Sequence, residues 1–547
     1  MLLIECNKIK KYYSDRLILD VDNLKIYSED KIGIVGLNGA GKTTLIDILS
    51  HRLDPDEGWV NLYGYAEYIS QIESPECRII SSELASKFAI KNTWDKHMSG
   101  GEKTRFKLAV ALGNESLILF ADEPTSNLDI NGIEIMEKNL CKYKGALVMI
   151  SHDRNFLDKL CNQIIEIENG KLKIYSGNYS HYREQKVQER DRAQFEYEEY
   201  VNEKSRLEGV INESKQKAKD IRTTPKRMGN SEARLHKMGG QKAKSNLDKK
   251  IKGVETRIEH LEVKEKPKEQ WKIKLDILKT NKIHSKIIIE GENICKSFGD
   301  KVIFSNAEFR IYNGAKVALL GPNGCGKSTL IKMIINNDDS IKTALGAKIG
   351  YFSQDMNILN KNLNIIDNVM ESSIYPENFA RLLLARLLFK GESIYKKIDV
   401  LSGGEQVKVS FAKILLQDIN LLILDEPTNY LDIDSLEVIE DALKEYDKTL
   451  LIVSHDRRFV NAVANQIMTI ENFQINMFTG TYEEYLSKTD ECLNNNEEVQ
   501  NQIIILENRL SEIIGKLSMQ PKKDVLEALD KEYYGILDKL KKLKATK

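Results

Sequence analysis

Two segments of the sequence carry the residue pattern of a phosphate-binding loop. Residues 36–43 read GLNGAGKT and residues 321–328 read GPNGCGKS, and each follows an apolar run rich in branched residues. A GxxxxGK[ST] loop between a strand and a helix points backbone N–H groups at phosphate oxygens, adds a lysine charge and offers a hydroxyl to Mg²⁺. A chance glycine turn would not explain two instances with matched downstream sequences. The sequence therefore predicts two nucleotide sites.

The residues expected to contact ATP in these loops are consecutive in each copy. They are Gly36, Leu37, Asn38, Gly39, Ala40, Gly41, Lys42, Thr43 and Thr44 in the first copy, and Gly321, Pro322, Asn323, Gly324, Cys325, Gly326, Lys327, Ser328 and Thr329 in the second. The cofactors implied are ATP and Mg²⁺.

Two apolar strands further along the chain each end in an Asp-Glu pair, Asp122-Glu123 and Asp425-Glu426. Ligands of α/β sheets bind at the carboxyl ends of strands, so these carboxylates should lie beside the phosphates. We expect the two aspartates to hold Mg²⁺ through water. The two glutamates are the predicted catalytic groups, because a carboxylate there can polarise the water that attacks the γ-phosphate.

His152 and His455 each follow another apolar strand, and both lie in a Ser-His-Asp-Arg sequence. A single histidine in such a place would more often be a satisfied core residue. Its repetition at constant spacing favours a catalytic role instead, in which the imidazole senses or stabilises the γ-phosphate.

A Ser-Gly-Gly-Glu turn before an apolar helix supplies a second phosphate-binding device in each copy. Its predicted ATP contacts are Ser99, Gly100, Gly101, Ser402, Gly403 and Gly404. One such loop is enough for each nucleotide, so the second phosphate-binding device of each copy is surplus. The surplus is explained if ATP lies between the phosphate loop of one copy and the Ser-Gly-Gly-Glu turn of the other, within a monomer. ATP would then clamp the two copies together and hydrolysis would release them.

The motifs recur in order, with an offset of 285 residues at the phosphate loop and 303 residues downstream. The variable part lies before the Ser-Gly-Gly-Glu turn, where Gln71 to Ser99 spans 28 positions and Gln354 to Ser402 spans 48. The prediction is an α/β chain with two ATP-hydrolysing domains at 1–180 and 285–487. A helical linker at 181–284 and a helical hairpin at 488–547 complete it.

Composition limits the remaining classes of protein. The 547 residues include 81 basic and 82 acidic side chains, so any nucleic-acid surface must be a local patch. Seven scattered cysteines without CxxC spacing argue against a disulfide framework or a zinc site. No run approaches the roughly 18 apolar residues of a membrane span. We therefore expect a cytoplasmic protein without membrane contact.

The linker has the pattern of two helices that fold back on each other. No proline occurs from 180 to 224, whereas Pro225, Gly229 and Gly239-Gly240 predict a break, which places the tip at about 221–241. Residues 215–252 contain thirteen basic and three acidic residues, a net charge of +10. A solvated face is the alternative, but one sign of charge favours binding to a phosphate backbone, with RNA the natural target.

Taken together, these motifs resemble the ATP-binding cassette family, with Walker A, Q-loop, signature, Walker B, D-loop and H-loop in order. The resemblance implies that Gln71 and Gln354 join Thr43, Ser328, Asp122 and Asp425 as metal ligands. It also implies that Tyr13 and Phe298 stack on adenine, although an aromatic at either place could be ordinary core. The first signature has Met98 where the family usually has leucine.

Two fused cassettes with an interdomain hairpin resemble the ABC-F group, whose members act on ribosomes. Residues 225–237 (PKRMGNSEARLHK) resemble the connector of its antibiotic-resistance members, and the short segment after Gln71 leaves no room for the arm of housekeeping members. The resemblance implies that ATP-bound protein enters the tRNA exit site, contacts large-subunit rRNA and P-site tRNA, and dislodges lincosamides, pleuromutilins or streptogramin A. The tip residues expected to contact RNA or the drug site are Lys226, Arg227, Met228, Arg234, Leu235 and Lys237.

Three alternatives remain open from the sequence. Met228 and Leu235 could merely pack the turn of the hairpin. The chain could also be a housekeeping translation or DNA-maintenance factor of the same architecture, an option that the predicted hairpin at 488–547 keeps open. The energy subunit of a transporter is a third reading, but it gives no reason for the +10 charge.

Overall fold

The computed structural model describes ten main segments and several short pieces near the carboxyl terminus. The segments are residues 1–70, 75, 78–114, 116–126, 128–220, 230–266, 285–353, 358–389, 391–428 and 431–489, and the pieces are 506, 509–510, 513–514, 533–537, 539 and 541. For residues 220 and 230–243 it describes the backbone alone. One compact unit comprises Met1–Glu73, Asn114–Pro124 and Leu140–Lys274, and the other comprises Ser74–Gly113, Thr125–Asn139 and Leu275–Lys547.

The first copy of the repeat is an α/β domain. Its elements are β1 (Leu2–Tyr13), β2 (Arg16–Tyr27), β3 (Lys31–Gly36), α1 (Lys42–Leu49), β4 (Glu57–Leu62), β5 (Ala66–Ile69), α2 (Ser82–Lys87), α3 (Gly100–Gly113), β6 (Ile118–Asp122), α4 (Ile130–Lys142), β7 (Ala146–Ile150), α5 (Arg154–Leu160), β8 (Gln163–Glu168) and β9 (Lys171–Ser176). The main sheet has the order β5-β6-β7-β3-β8-β9, parallel except for β9, and β2-β1-β4 form an antiparallel sheet.

The second copy repeats this topology. Its elements are β10 (Ile287–Phe298), β11 (Lys301–Tyr312), β12 (Lys316–Leu320), α8 (Lys327–Ile335), β13 (Ile341–Thr343), β14 (Ile349–Phe352), α9 (Ile365–Met370), α10 (Glu377–Arg386), α11 (Gly403–Leu415), β15 (Leu421–Asp425), α12 (Ile433–Glu445), β16 (Thr449–Val453), α13 (Arg457–Val463), β17 (Gln466–Glu471) and β18 (Gln474–Thr479). The sheets have the orders β14-β15-β16-β12-β17-β18 and β11-β10-β13. The predicted fold class, tandem α/β cassette domains, is confirmed.

The central strands are mostly apolar and buried, because both faces of each main sheet are covered. In β7 all five residues are buried, and β15 and β16 are also buried throughout. Continuous apolar runs of this kind are typical of parallel strands in α/β domains. The packed sheets hold the strand ends, where the chemically important side chains lie, in fixed positions.

The two copies differ where the sequence lengths differ. Among the described residues, the first copy has only α2 in the segment before its signature turn. The second has α9, α10 and two 3₁₀ turns, Gly391–Tyr395 and Ile398–Val400. The additional residues of the second copy therefore form a helical layer, whose core includes Leu383, Leu384 and Phe389.

The linker contains two long helices, α6 (Tyr179–Asp220) and α7 (Asn230–Glu259), that pack against each other. Ion pairs join Glu196 to Lys264 at 3.4 Å and Lys215 to Glu255 at 3.9 Å, so the chain returns in the opposite direction. The apolar stripe of this pair includes Leu207, Ile211 and Ile251, all buried.

One feature predicted for the linker is wrong. Helix α7 runs without interruption through Gly239 and Gly240, which were expected to break it. A glycine lowers helix stability by roughly 1 kcal/mol relative to alanine but does not end a helix as proline does. The flanking residues Met238, Gln241 and Lys242 are good helix formers. The helical part of the linker therefore extends into the segment predicted as the tip, from residue 230 onward.

Other predictions for the linker and the tail stay predictions. Lys226, Arg227 and Met228 lie outside the described residues, while the backbones of Arg234, Leu235 and Lys237 lie on α7. Most of 488–547 also lies outside them. None of the helices in the described part of the chain is both long and apolar enough to cross a membrane.

Candidate functional site

The first phosphate loop connects β3 to α1. The ammonium of Lys42 is buried and donates hydrogen bonds to the carbonyl oxygens of Gly36 and Leu37, at 2.8 and 3.1 Å. Gly41 caps the helix with a φ of 100°, in the left-handed region that glycine enters without steric cost. The loop thus places a lysine charge and a helix N-terminus together, as phosphate binding requires.

The second phosphate loop connects β12 to α8 with the same geometry. The Nζ atom of Lys327 lies 2.7 Å from the carbonyl oxygen of Gly321 and 3.1 Å from that of Pro322. Gly326 has a φ of 117°, and a Cβ there would lie 2.4 Å from Cγ2 of Ile303. Only glycine fits this position, because the loop packs directly on strand β11.

The Asp residues that end β6 and β15 lie beside the hydroxyl groups of their copies. Thr43 Oγ1 donates to Asp122 Oδ2 at 3.1 Å, and Tyr351 donates to Asp425 Oδ2 at 3.4 Å. Burial raises the pKa of both aspartates. In the first copy, the Thr43 hydroxyl beside the Asp122 carboxylate offers oxygen ligands of the kind that Mg²⁺ prefers, so these residues fit this ion. Ser328 is exposed in the first turn of α8. Gln71 and Gln354 lie outside the described residues.

The predicted catalytic glutamates each contact the histidine of the same copy. Glu123 Oε1 lies 3.3 Å from His152 Nε2, and the same 3.3 Å separates Glu426 from His455. Both glutamates have a φ of 49°, in the left-handed region. The carboxyl group at this sharp turn thus lies beside the histidine that follows the neighbouring strand.

Burial controls the charge of these pairs. It raises the pKa of Glu123 and of Glu426 to about 8. Burial, together with the nearby Lys327, lowers the pKa of His455 to about 4. At neutral pH the second pair is therefore mostly a neutral carboxyl group beside a neutral imidazole. Each glutamate must lose its proton before it can act as a base.

Both Ser-Gly-Gly-Glu turns are closed by reciprocal hydrogen bonds. The Glu405 carboxylate accepts from the Ser402 backbone N–H at 2.9 Å, and Ser402 Oγ accepts from the Glu405 N–H at 3.4 Å. Ser99 and Glu102 make the same pair, at 2.8 and 3.3 Å. These capping boxes hold a helix N-terminus rigidly behind each turn.

The residues before these turns, and the predicted adenine-stacking residues, occupy matched positions. Met98 and Leu401 are both buried, so the methionine replaces the usual leucine without changing its environment.

Tyr13 ends β1 and Phe298 ends β10, with 53% and 59% of each residue exposed. The two aromatic rings are thus surface features and not core residues. The adenine-stacking role stays a prediction.

Two contacts of the second unit were not predicted from the sequence. Asp129, just before α4, accepts a hydrogen bond from the backbone N–H of Asn323 in the second phosphate loop at 3.0 Å. Buried Arg457 donates to Glu137 at 3.4 Å and to the Ile130 carbonyl oxygen at 3.3 Å. The repeated Ser-His-Asp-Arg sequence marked the arginine, but nothing in it indicated these partners.

The base of helix α6 is fixed to the first copy by a buried carboxylate. Glu166 on β8 accepts hydrogen bonds from Tyr175 at 3.2 Å and Tyr182 at 2.9 Å. The Lys186 ammonium lies 2.8 and 2.6 Å from its two oxygens. This cluster connects the strand of the first main sheet directly to the linker helix.

Comparisons with known proteins agree with this architecture. Two family models described as ABC transporter match, one over residues 19–86 and 304–429 and the other over 165–277. The chain resembles a solved structure titled RNase-L Inhibitor with a TM-score of 0.59, covering 88% of this chain and 92% of that one. The sequence identity is 19%, so this likeness concerns the fold.

Two curated relatives match nearly their whole length. The erythromycin resistance ATP-binding protein MsrA of Staphylococcus epidermidis is 32% identical over 471 residues, 85% of this chain and 96% of the relative. The ribosome protection protein VmlR of Bacillus subtilis (strain 168) is 30% identical over 552 residues, 99% of this chain and 98% of the relative. With its paired cassettes and long linker helix, the chain belongs to the ABC-F family of ATPases.

Proposed function

We propose that this ATPase protects ribosomes against antibiotics that bind the peptidyl-transferase centre. The observation that carries the proposal is the match to a ribosome protection protein over 99% of the chain, which includes the whole linker. The second relative is named for erythromycin resistance. A protein that acts on ribosomes works in the cytoplasm.

In this proposal the linker hairpin binds ribosomal RNA at the exit site, next to P-site tRNA. The net charge of +10 between 215 and 252 supplies the attraction to phosphate. Lys226, Arg227, Arg234 and Lys237 anchor the tip on the RNA backbone. Met228 and Leu235 displace the drug or the bases that hold it.

The two cassettes supply the ATP-dependent cycle. Mg²⁺ would be held by Asp122, Asp425, Thr43 and Ser328, with Gln71 and Gln354 assisting, and it would supply positive charge next to the phosphates. Glu123 and Glu426 take the proton of the attacking water, and their histidines orient the γ-phosphate. ATP bound by both copies of one monomer keeps the protein on the ribosome, and hydrolysis releases it.

The decisive experiment is cell-free translation in the presence of a lincosamide, a pleuromutilin or streptogramin A, with erythromycin as a separate arm. The parental protein should restore translation, and Leu235→Ala or Met228→Ala should lower this protection at least about fivefold. ATP hydrolysis and co-sedimentation with ribosomes should stay near parental levels, because the phosphate anchors are retained.

Ile251→Ala is the matched control, since Ile251 is buried in the α6–α7 packing away from the tip. It should lower the melting temperature of the hairpin, whereas the tip variants should not. Absence of protection by the parental protein against all four drug classes would contradict the proposal and favour the housekeeping function. Full protection by both tip variants would contradict the displacement role.

A further inference from the structure

The second copy has a pocket beside its phosphate loop that is lined by an aromatic residue in an unusual conformation. The pocket has a volume of about 430 Å³. Three segments line it: Lys301–Ile303 at the start of β11, Pro322 with Gly324 and Cys325 in the phosphate loop, and Ile470–Phe473 at the β17–β18 turn. Phe298, the predicted adenine-stacking residue, pairs across the hairpin with Lys301.

The β17–β18 turn has a two-residue loop, Asn472–Phe473, because Glu471 pairs with Gln474. Both loop residues have positive φ, 51° for Asn472 and 63° for Phe473. This is the pattern of a type I′ turn, which strongly prefers Asn-Gly. A bulky residue in the left-handed region is a genuine outlier, and such outliers cluster at functional sites.

The first copy shows what the turn looks like without the aromatic residue. There the loop is Asn169–Gly170, with φ values of 52° and 80°. The carbonyl oxygen of Gly170 accepts from the Asp20 N–H at 2.8 Å, just as that of Phe473 accepts from the Ser305 N–H at 3.1 Å. The two turns are therefore docked in the same way on their antiparallel sheets. Only the second turn has a side chain at this position, and Phe473 lines the pocket together with the phosphate loop.

We propose that Phe473 is a base-binding residue of the second nucleotide site, where its ring adds an aromatic surface to the one predicted for Phe298. Phe473 is 53% exposed and lines the pocket together with residues of the phosphate loop, so a purine can stack there. The first site lacks this added surface, because its turn carries Gly170. The two ATP sites therefore differ in affinity for the base. This inference rests on ATP binding by the family and not on the proposed action on ribosomes.

The test separates the two sites with phosphate-loop variants of the full-length protein. In the Lys42→Ala background, ADP binding measured by titration calorimetry reports the second site. Phe473→Gly should weaken ADP binding there about five- to tenfold, the lower end of what base–aromatic stacking contributes. Phe473→Tyr should retain affinity within about twofold, because it keeps the ring. Inorganic pyrophosphate should bind all three proteins equally.

The Lys327→Ala background gives the matched control, because there ADP binding reports the first site and Phe473→Gly should leave it unchanged. Glycine also removes the unfavourable backbone conformation, so the melting temperature of Phe473→Gly should equal or exceed that of its parent. ADP affinity of the second site within about twofold of the parent would overturn the proposal. An equal loss of pyrophosphate binding would also overturn it, since the residue would then act on the loop and not on the base.

Discussion

Glu123 and Glu426 each combine a left-handed backbone conformation with burial and a contact to a histidine. Their φ of 49° positions the carboxyl group at the strand end, and burial raises its pKa to about 8. A buried carboxyl group that keeps its proton at neutral pH is a poor base until a positive charge or a deprotonating partner approaches. Burial therefore makes both glutamates poor bases at neutral pH.

This protonation makes the stability of the nucleotide-free protein depend on pH. The folded protein binds the Glu426 proton more tightly than the unfolded chain does, where the pKa is 4.5. Stability is therefore lost as the pH rises from about 4.5 through about 8. Glu426→Gln removes this cost, so its melting temperature should exceed that of the parent by about 3 °C or more at pH 8.5 and match it near pH 5.

Differential scanning calorimetry across this pH range checks the prediction, with Glu392→Gln as the control because Glu392 is exposed in the same copy. Equal melting temperatures of Glu426→Gln and parent at every pH would show that the carboxyl group is not protonated in the fold.

At the scale of elements, the long helix α6 is attached to the first main sheet through its first turns. Most of the helix is polar and solvated, so its attachment depends on the first turns. At this point the Glu166 carboxylate, on β8, accepts hydrogen bonds from Tyr175, Tyr182 and Lys186. One carboxylate on β8 therefore holds the first turns of α6 to the sheet.

Lys186→Met should loosen this attachment. The variant leaves the buried Glu166 carboxylate with its tyrosine donors but without the lysine charge. It should lower the free energy of unfolding by about 2 kcal/mol. This is less than for a fully buried ion pair, because the Lys186 side chain is one-third exposed. Hydrogen exchange at 179–190 should accelerate as well. Arg192→Met removes an exposed pair of the same helix and should change stability by less than about 0.5 kcal/mol. Similar effects of the two variants would argue against the anchoring role.

At the scale of the whole molecule, the second unit is built from both copies of the repeat. Asp129 and Glu137 come from the first copy, yet they bond to Asn323 and Arg457, which lie 194 and 320 residues away in the sequence. The pair of Arg457 and Glu137 is almost fully buried, with 9% and 8% of the side chains exposed. Neither copy therefore reaches its full stability as an isolated segment of the chain.

A double-mutant cycle measures this dependence. Arg457→Met should lower the free energy of unfolding by about 3 kcal/mol, because it leaves the Glu137 carboxylate buried without its cation. The double variant with Glu137→Gln should lose at least about 1 kcal/mol less than the sum of the single variants. Urea denaturation provides the values. Additivity within about 0.5 kcal/mol would mean that the two side chains contribute independently.

The sequence predicted the fold class and the strand-end positions of the acidic pairs because both depend on local patterns. Apolar runs define buried strands, and glycine spacing defines the loops that follow them. The contacts of Asp129 and Arg457 depend on tertiary structure and leave no local pattern. The low helix propensity of Gly239-Gly240 predicts a break, but the neighbouring helix formers outweigh it and α7 continues through both glycines. Phe473 was detectable in principle, since aligning the copies at the 303-residue offset places it opposite Gly170.

The aromatic turn of the second copy also has a spectroscopic consequence. The three tryptophans of the chain, Trp59, Trp94 and Trp271, all precede residue 285, so the second cassette contributes no indole emission of its own. Position 473 already accommodates a half-exposed aromatic ring at the edge of the pocket. Phe473→Trp would therefore place a fluorophore beside the second phosphate loop, and quenching of its emission by a stacked base would report when that site alone fills and empties.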